Sequence, residues 1–232
     1  MFKGIRSIPG VVAVAVALSL LMAATAVAAT IRGTDRSDRL VGSQRSDDIS
    51  ARKGDDRVVA RGGNDRVLGG GGRDTIFGGE DRDNIKGGDG RDTLFGGNSR
   101  DYIEGGDDRD RIAGGRGDDT LRGGESDDTI FANLGRDESF GFDGDDDLWG
   151  KARGDYTGGD DDNGDTLHGG NGDDRFHTRD GERDNIDCGP GRDTALLDSE
   201  DVIVDANDGD RDGSCENVQI GAPGQDGPES DD

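Results

Sequence analysis

A single aliphatic residue recurs every nine positions: Leu40, Ile49, Val58, Val67, Ile76, Ile85, Leu94, Ile103, Ile112, Leu121 and Ile130. Ser139 and Thr157 interrupt the column, Leu148 restores it between them, and Leu167, Phe176 and Ile186 carry it on. Two residues before each of these positions stands an aspartate. The series runs without a slip through Asp38, Asp47, Asp56, Asp65, Asp74, Asp83, Asp92, Asp101, Asp110, Asp119, Asp128, Asp137, Asp146 and Asp155. One-residue insertions precede its continuation at Asp165 and Asp174, and again at Asp184 and Asp193. Glycine pairs stand before the aspartate at Gly69-Gly70, Gly78-Gly79, Gly87-Gly88, Gly96-Gly97, Gly105-Gly106, Gly114-Gly115, Gly123-Gly124 and Gly169-Gly170. Each unit therefore predicts one short extended segment and one Gly/Asp turn. The two-residue alternation of a strand turns the aliphatic residue of that segment inward.

The clearest unit reads Gly87-Gly88-Asp89-Gly90-Arg91-Asp92-Thr93-Leu94-Phe95. It resembles the RTX (hemolysin-type) calcium-binding repeat family, whose nonapeptide is GGxGxDxUx with U a large aliphatic residue. The resemblance covers roughly residues 33 to 197. It implies an all-β fold, a parallel β-roll in which two nonapeptides make one coil. Sequence neighbours then lie on opposite sheets, residues two repeats apart stack, and coils sit about 4.8 Å apart. The expected unit is a six-residue turn followed by a three-residue strand. The resemblance also implies Ca2+ as cofactor. One site would combine the carbonyls of Gly69 and Gly71 with Asp74, and the carbonyls of Gly88 and Gly90 with Asp92. Asp65, Asp83, Asp101, Asp110, Asp119, Asp128 and Asp174 are the equivalent carboxylates.

The pattern has departures. Asp81, Ser99, Asp108 and Ser126 replace the fourth-position glycine, and the repeats before Gly54 and between Ala132 and Asp161 are degenerate. Those are the repeats in which metal binding is least expected. Arg73, Arg82, Arg91, Arg100 and Arg109 each precede a repeat aspartate. They read as solvated charge balance, with a ladder that partly replaces calcium as the alternative.

One aliphatic side chain per repeat makes a thin core. Coiling also lines up like charges, which repel by about 1 kcal/mol at 5 Å in water and more when desolvated. A hard cation that accepts carboxylate and carbonyl oxygens reverses this. Folding coupled to calcium binding is the expectation.

Composition agrees that a conventional core is out of reach. The 232 residues include 44 Gly and only 28% hydrophobic and 4% aromatic residues, with a formal net charge of −25. That charge argues against nucleic-acid binding. His168 and His177 are the only histidines and are expected at the surface, outside any catalytic or zinc site. No nucleophile arrangement stands out, so no enzyme activity is expected.

Four segments are expected. Residues 1–29 read as a signal peptide, with Lys3 and Arg6 before an apolar run from Val11 to Met22 and small residues at Ala26-Val27-Ala28-Ala29. Residues 30–197 form the roll. Residues 198–220 form a C-terminal cap, with Val202-Ile203-Val204 as a last strand, and 221–232 an acidic disordered tail. The run Asp208, Asp210, Asp212, Gly213 resembles the start of an EF-hand loop, but Gln219 holds the twelfth position, so it reads as a solvated acidic turn. Cys188 and Cys215, the only cysteines, are expected to form a disulfide in an exported protein. The overall expectation is a secreted calcium-binding structural or interaction module with no membrane span after processing. A surface adhesin, ice binder or matrix component, or the repeat part of a secreted hydrolase, are the alternatives. The cell-surface or matrix partner is not written in the residues.

Overall fold

A computed structural model describes residues 28–151, 164–204 and 215–222. Most of the expected signal peptide, Asp155 and Thr157, the Asp208–Gly213 turn and the tail from 223 lie outside the described residues. Among the described residues the chain is built of strands, and no helix is long and apolar enough to cross a membrane.

The strands in chain order are β1 (Thr30–Arg32), β2 (Arg39–Val41), β3 (Asp48–Lys53), β4 (Arg57–Gly62), β5 (Arg66–Gly71), β6 (Thr75–Glu80) and β7 (Asn84–Asp89). They continue with β8 (Thr93–Asn98), β9 (Tyr102–Asp107), β10 (Arg111–Arg116), β11 (Thr120–Glu125), β12 (Thr129–Leu134), β13 (Glu138–Asp143) and β14 (Asp147–Trp149). The last are β15 (Thr166–Asn171), β16 (Arg175–His177), β17 (Asn185–Asp187), β18 (Thr194–Leu197), β19 (Val202–Ile203) and β20 (Asn217–Ile220). Odd strands form one ten-stranded sheet in sequence order and even strands form the other. Every pairing is parallel, as in Ile76 beside Leu94 beside Ile112 beside Ile130. This is the parallel β-roll that the resemblance implies.

The register makes two apolar files, one per sheet, facing each other across a narrow interior. Ile49, Val58, Val67, Ile76, Ile85, Leu94, Ile103, Ile112, Leu121 and Ile130 are fully buried in one continuous cluster. Each contributes roughly 2 kcal/mol by leaving water. Ser139 keeps its place in the odd file between Leu121 and Leu167 and is only 1% exposed. Ser139 pairs with Leu167 although 28 positions separate them in sequence, so the odd file stays in register from β13 to β15.

The expected division of each repeat is corrected. From β3 to β13 the strands are six residues long, so the turn shrinks to three. The glycine pair stays in the ladder: Gly79 partners Gly97, while Gly78 is buried and passed over in the pairing. The second glycine needs a positive φ, 124° at Gly79, which bends the strand at that point without ending it. The bend survives glycine loss, because Arg52, Arg61, Asn133 and Phe142 hold the same position at φ of 80° to 89°. The fourth-position residues Asp81, Ser99, Asp108 and Ser126 likewise sit at φ of 66° to 80°. Neighbouring coils on both sides impose that geometry on residues that disfavour it.

Residues 198–220 supply β19 and β20, which continue the two sheets alongside β17 and β18. A disulfide joins Cys188, after β17, to Cys215, before β20, with Cα atoms 5.4 Å apart. Closing a loop of 27 residues contributes roughly 3–4 kcal/mol in the chain-entropy picture. The histidines are placed differently from expectation. His168 is half-buried, stacked on Phe140 and 3.2 Å from Asp187 Oδ2. His177 is only 9% exposed, because it completes an outward aromatic column with Phe131 and Trp149 and lies flat against the indole.

Candidate metal centre

The repeat aspartates close the turns, and from Asp47 onward each one described is buried. One carboxylate oxygen is already committed. Asp74 Oδ1 accepts the backbone N–H of Asp56 at 2.8 Å, and Asp92 Oδ1 accepts that of Asp74 at 2.7 Å. The relation repeats along both edges of the roll. On one edge it links Asp38, Asp56, Asp74, Asp92, Asp110, Asp128, Asp146, Asp174 and Asp193, ending on Glu216. On the other it runs from Ala29 through Asp47, Asp65, Asp83, Asp101, Asp119, Asp137, Asp165 and Asp184 to Asp201. Each aspartate thereby satisfies an N–H that the strand ladder leaves over.

The second oxygen has a different fate. Oδ2 of Asp65, Asp74, Asp83, Asp92, Asp101, Asp110, Asp119, Asp128 and Asp174 is buried with no hydrogen-bond partner. The first coil differs: Oδ2 of Asp38 and of Asp47 accepts a backbone N–H, from Thr34 and Ser43, each at 2.6 Å.

Except at Asp65, where Ala60 holds the equivalent position, each of these orphan oxygens faces a hollow kept open by the first glycine of a pair. A Cβ on Gly69 would lie 2.4 Å from Asp74 Oδ2 and 2.6 Å from the carbonyl oxygen of Gly87. The same pairing recurs at Gly78, where Asp83 Oδ2 meets the Gly96 carbonyl, and at Gly87, where Asp92 Oδ2 meets that of Gly105. Gly169 repeats it with Asp174 and the carbonyl of Cys188. Any side chain at these glycines would fill the hollow and strike both oxygens.

Of the carbonyls named from the resemblance, that of Gly71 accepts the Gly54 N–H at 2.8 Å. The α-carbons of Gly88 and Gly90 lie under the carbonyls of Gly70 and Gly72 one coil earlier, at positive φ of 117° and 107°. The carbonyl brought to Asp74 is that of Gly87, next to Gly88. Among the described residues no three His, Cys, Asp or Glu side chains gather as a metal group. Each hollow instead combines one carboxylate oxygen with backbone carbonyl oxygen.

The electrostatics show how ill-suited these carboxylates are to standing alone. Burial pushes Asp65 up to about 6, Asp83, Asp101, Asp110 and Asp174 up to about 7, and Asp92, Asp119 and Asp128 up to about 8. Asp74 is raised for the same reason. The N–H bond to Oδ1 opposes the rise and neighbouring carboxylates add to it. Nearly all of the basic side chains that form ion pairs lie on the outer surface, as in Arg73 with Asp55, Arg100 with Asp118 and Arg109 with Asp127. Those exposed pairs link adjacent coils, are worth at most about 1 kcal/mol each, and leave the buried oxygens unneutralised.

Buried, oxygen-only and anionic, with carbonyls at hand, the hollows fit a hard divalent cation such as calcium. The family model described as RTX calcium-binding nonapeptide repeat (4 copies) matches residues 32–67, 68–103 and 104–138. These residues are RTX calcium-binding repeats. A search of the curated proteins finds no match to the chain. The roll itself extends past the matched residues, where Asp146, Asp174, Asp184 and Asp193 carry the same buried Oδ2. Asp56 does so too, within the matched part. Of these five, Asp174 is among the expected ligands, whereas Asp56, Asp146, Asp184 and Asp193 are not, although the repeat spacing already contains them. What spacing could not reveal is the split between a structural Oδ1 and an unspent Oδ2.

Proposed function

We propose that this chain is an exported calcium-binding module that folds as calcium enters its turns, serves a structural or interaction role outside the cell, and carries no catalytic activity of its own. The observation that carries the reading is the repeated orphan Oδ2 facing a carbonyl across a glycine hollow, as at Asp74, Gly69 and Gly87. Calcium would be held by these oxygens and supply the charge that the buried carboxylates lack. The sequence from Lys3 to Ala29 reads as an export signal.

Equilibrium dialysis against radioactive calcium tests the binding, and N-terminal sequencing of chain recovered from culture medium tests the export. Several ions per chain and a start at Ala29 or Thr30 are expected. No bound calcium, or a chain retained in the cell with Met1, contradicts the respective part.

The adhesin or matrix alternative is favoured by one feature, an outward apolar column on the even sheet in which Val59, Phe77, Phe95, Ala113 and Phe131 stand in register. Calcium-dependent retention on cell-surface polymer, lost in Phe77→Ala/Phe95→Ala, would select it.

A further inference from the structure

Among the described residues the two ends of the roll are uncovered and differ from the rest of its surface. Among those residues β1 and β2 pair only with β3 and β4, and β19 and β20 only with β17 and β18, so each end presents parallel strand edges. Among the described residues the exposed large hydrophobic side chains are Val41, Val204, Val218 and Ile220, all in the first or last coil. Val218 is the clearest case. It occupies the inward position of the even file after Phe176 and Ala195, yet it is 41% exposed because no further coil among the described residues covers it. Ile203 ends the odd file in the same way, and Leu40 and Ile31 begin the two files at the opposite end.

The ends are also opposite in charge. Residues 28–46 contain Arg32, Arg36, Arg39 and Arg45 against Asp35 and Asp38. The described residues from 198 onward carry Asp198, Glu200, Asp201 and Glu216 with no Lys or Arg. The aspartate ladder has matching ends too: Glu216 accepts the last N–H, from Asp193, and Asp38 opens the ladder with no coil before it.

We propose that the acidic C-terminal coil of one copy seats on the basic N-terminal coil of a second copy, β20 against β2 and β19 against β1. Both apolar files and both sheets then continue across the junction. The contact is heterologous, so it does not close on itself and copies add in a row. The occupant of each end is the opposite end of the same protein, because that surface matches it in register, polarity and charge at once. The inference rests on the calcium-bound roll proposed above.

Analytical ultracentrifugation in millimolar calcium, on the chain as the cell leaves it, tests the seating with two end-blocked variants. Val218→Lys blocks the C-terminal end and Ile31→Asp the N-terminal end. Circular dichroism in calcium checks that both keep the strand signal. Wild type is expected to grow through multiples of the monomer mass as concentration rises tenfold. Each variant alone stays monomeric, and an equimolar mixture forms a one-to-one pair and nothing larger. Wild type that stays monomeric overturns the inference, as does a mixture that fails to pair or variants that associate like wild type. Association that emerges only after residues 223–232 are deleted also overturns it, since the chain's own tail would then hold the end. If the dichroism ignores calcium while the mixed variants still pair, the calcium reading falls and the end-to-end seating stands.

Discussion

Asp92 reaches back one coil and accepts the backbone N–H of Asp74 through Oδ1 at 2.7 Å, while its Oδ2 stays buried without a partner. One side chain therefore does two things: it closes the turn of its neighbour and offers an anionic oxygen to a hollow shared with the Gly105 carbonyl.

Asp92→Asn separates those roles. The amide oxygen can still accept the Asp74 N–H, and the amide nitrogen can donate to the Gly105 carbonyl. The variant is expected to bind one calcium ion fewer than wild type while the roll still folds in calcium. Asp92→Ala also strands the Asp74 N–H and should cost about 1–3 kcal/mol more than Asp92→Asn in calcium. Dialysis and denaturant melts in calcium check both, and equal behaviour of the two variants would argue against the division.

Acid should act in opposite directions on the two forms. The folded-state values of Asp83, Asp92, Asp101, Asp110, Asp119, Asp128 and Asp174 stand at about 7 to 8, against an ordinary 3.8. Between those limits the folded chain holds more protons than the unfolded one. The resulting stability is fully present below the unfolded value and lost as pH rises through 7 to 8. Metal-free chain is therefore expected to gain strand content on going from pH 8 to pH 5. Calcium affinity should fall over the same interval because protons compete for Oδ2. Parallel dichroism and dialysis across that range provide the check.

Ser139 interrupts the odd file with a hydroxyl that is buried and unpartnered between Leu121 and Leu167. Ser139→Val restores the apolar column and removes the stranded oxygen, for an expected gain of about 1–3 kcal/mol in calcium. A lower melting temperature would mean that the hydroxyl has a partner in solution.

Much of this architecture is legible in the residues. The nine-residue spacing of Ile76, Ile85 and Leu94 marks the repeat, and the resemblance to RTX repeats adds the two-repeat coil that alternates these residues between sheets and stacks every second one. Strand length is not legible. Whether Gly78-Gly79 ends a strand or bends it depends on the coil alongside, and local propensity carries no information about a neighbour one coil away. The same holds for Arg52 and Phe142, which adopt a glycine conformation because Gly70 and Gly170 stand beside them in register. The burial of His177 is hidden for a related reason: it comes from stacking on Trp149, 28 residues earlier in sequence. At the candidate site the carboxylates could be named from spacing, whereas the carbonyl facing Asp74 could not, since one residue separates Gly87 from Gly88 and only the strand bend decides between them.

The central claim is that carboxylates buried in this way need a cation before the coils can close. Far-ultraviolet circular dichroism of the full chain, titrated from excess chelator to millimolar calcium at pH 8, tests it most directly. The account predicts a disordered spectrum in chelator that converts cooperatively to a strand spectrum as calcium rises, and reverts when chelator is restored. A strand spectrum already complete in chelator, or one that calcium leaves unchanged, would contradict it.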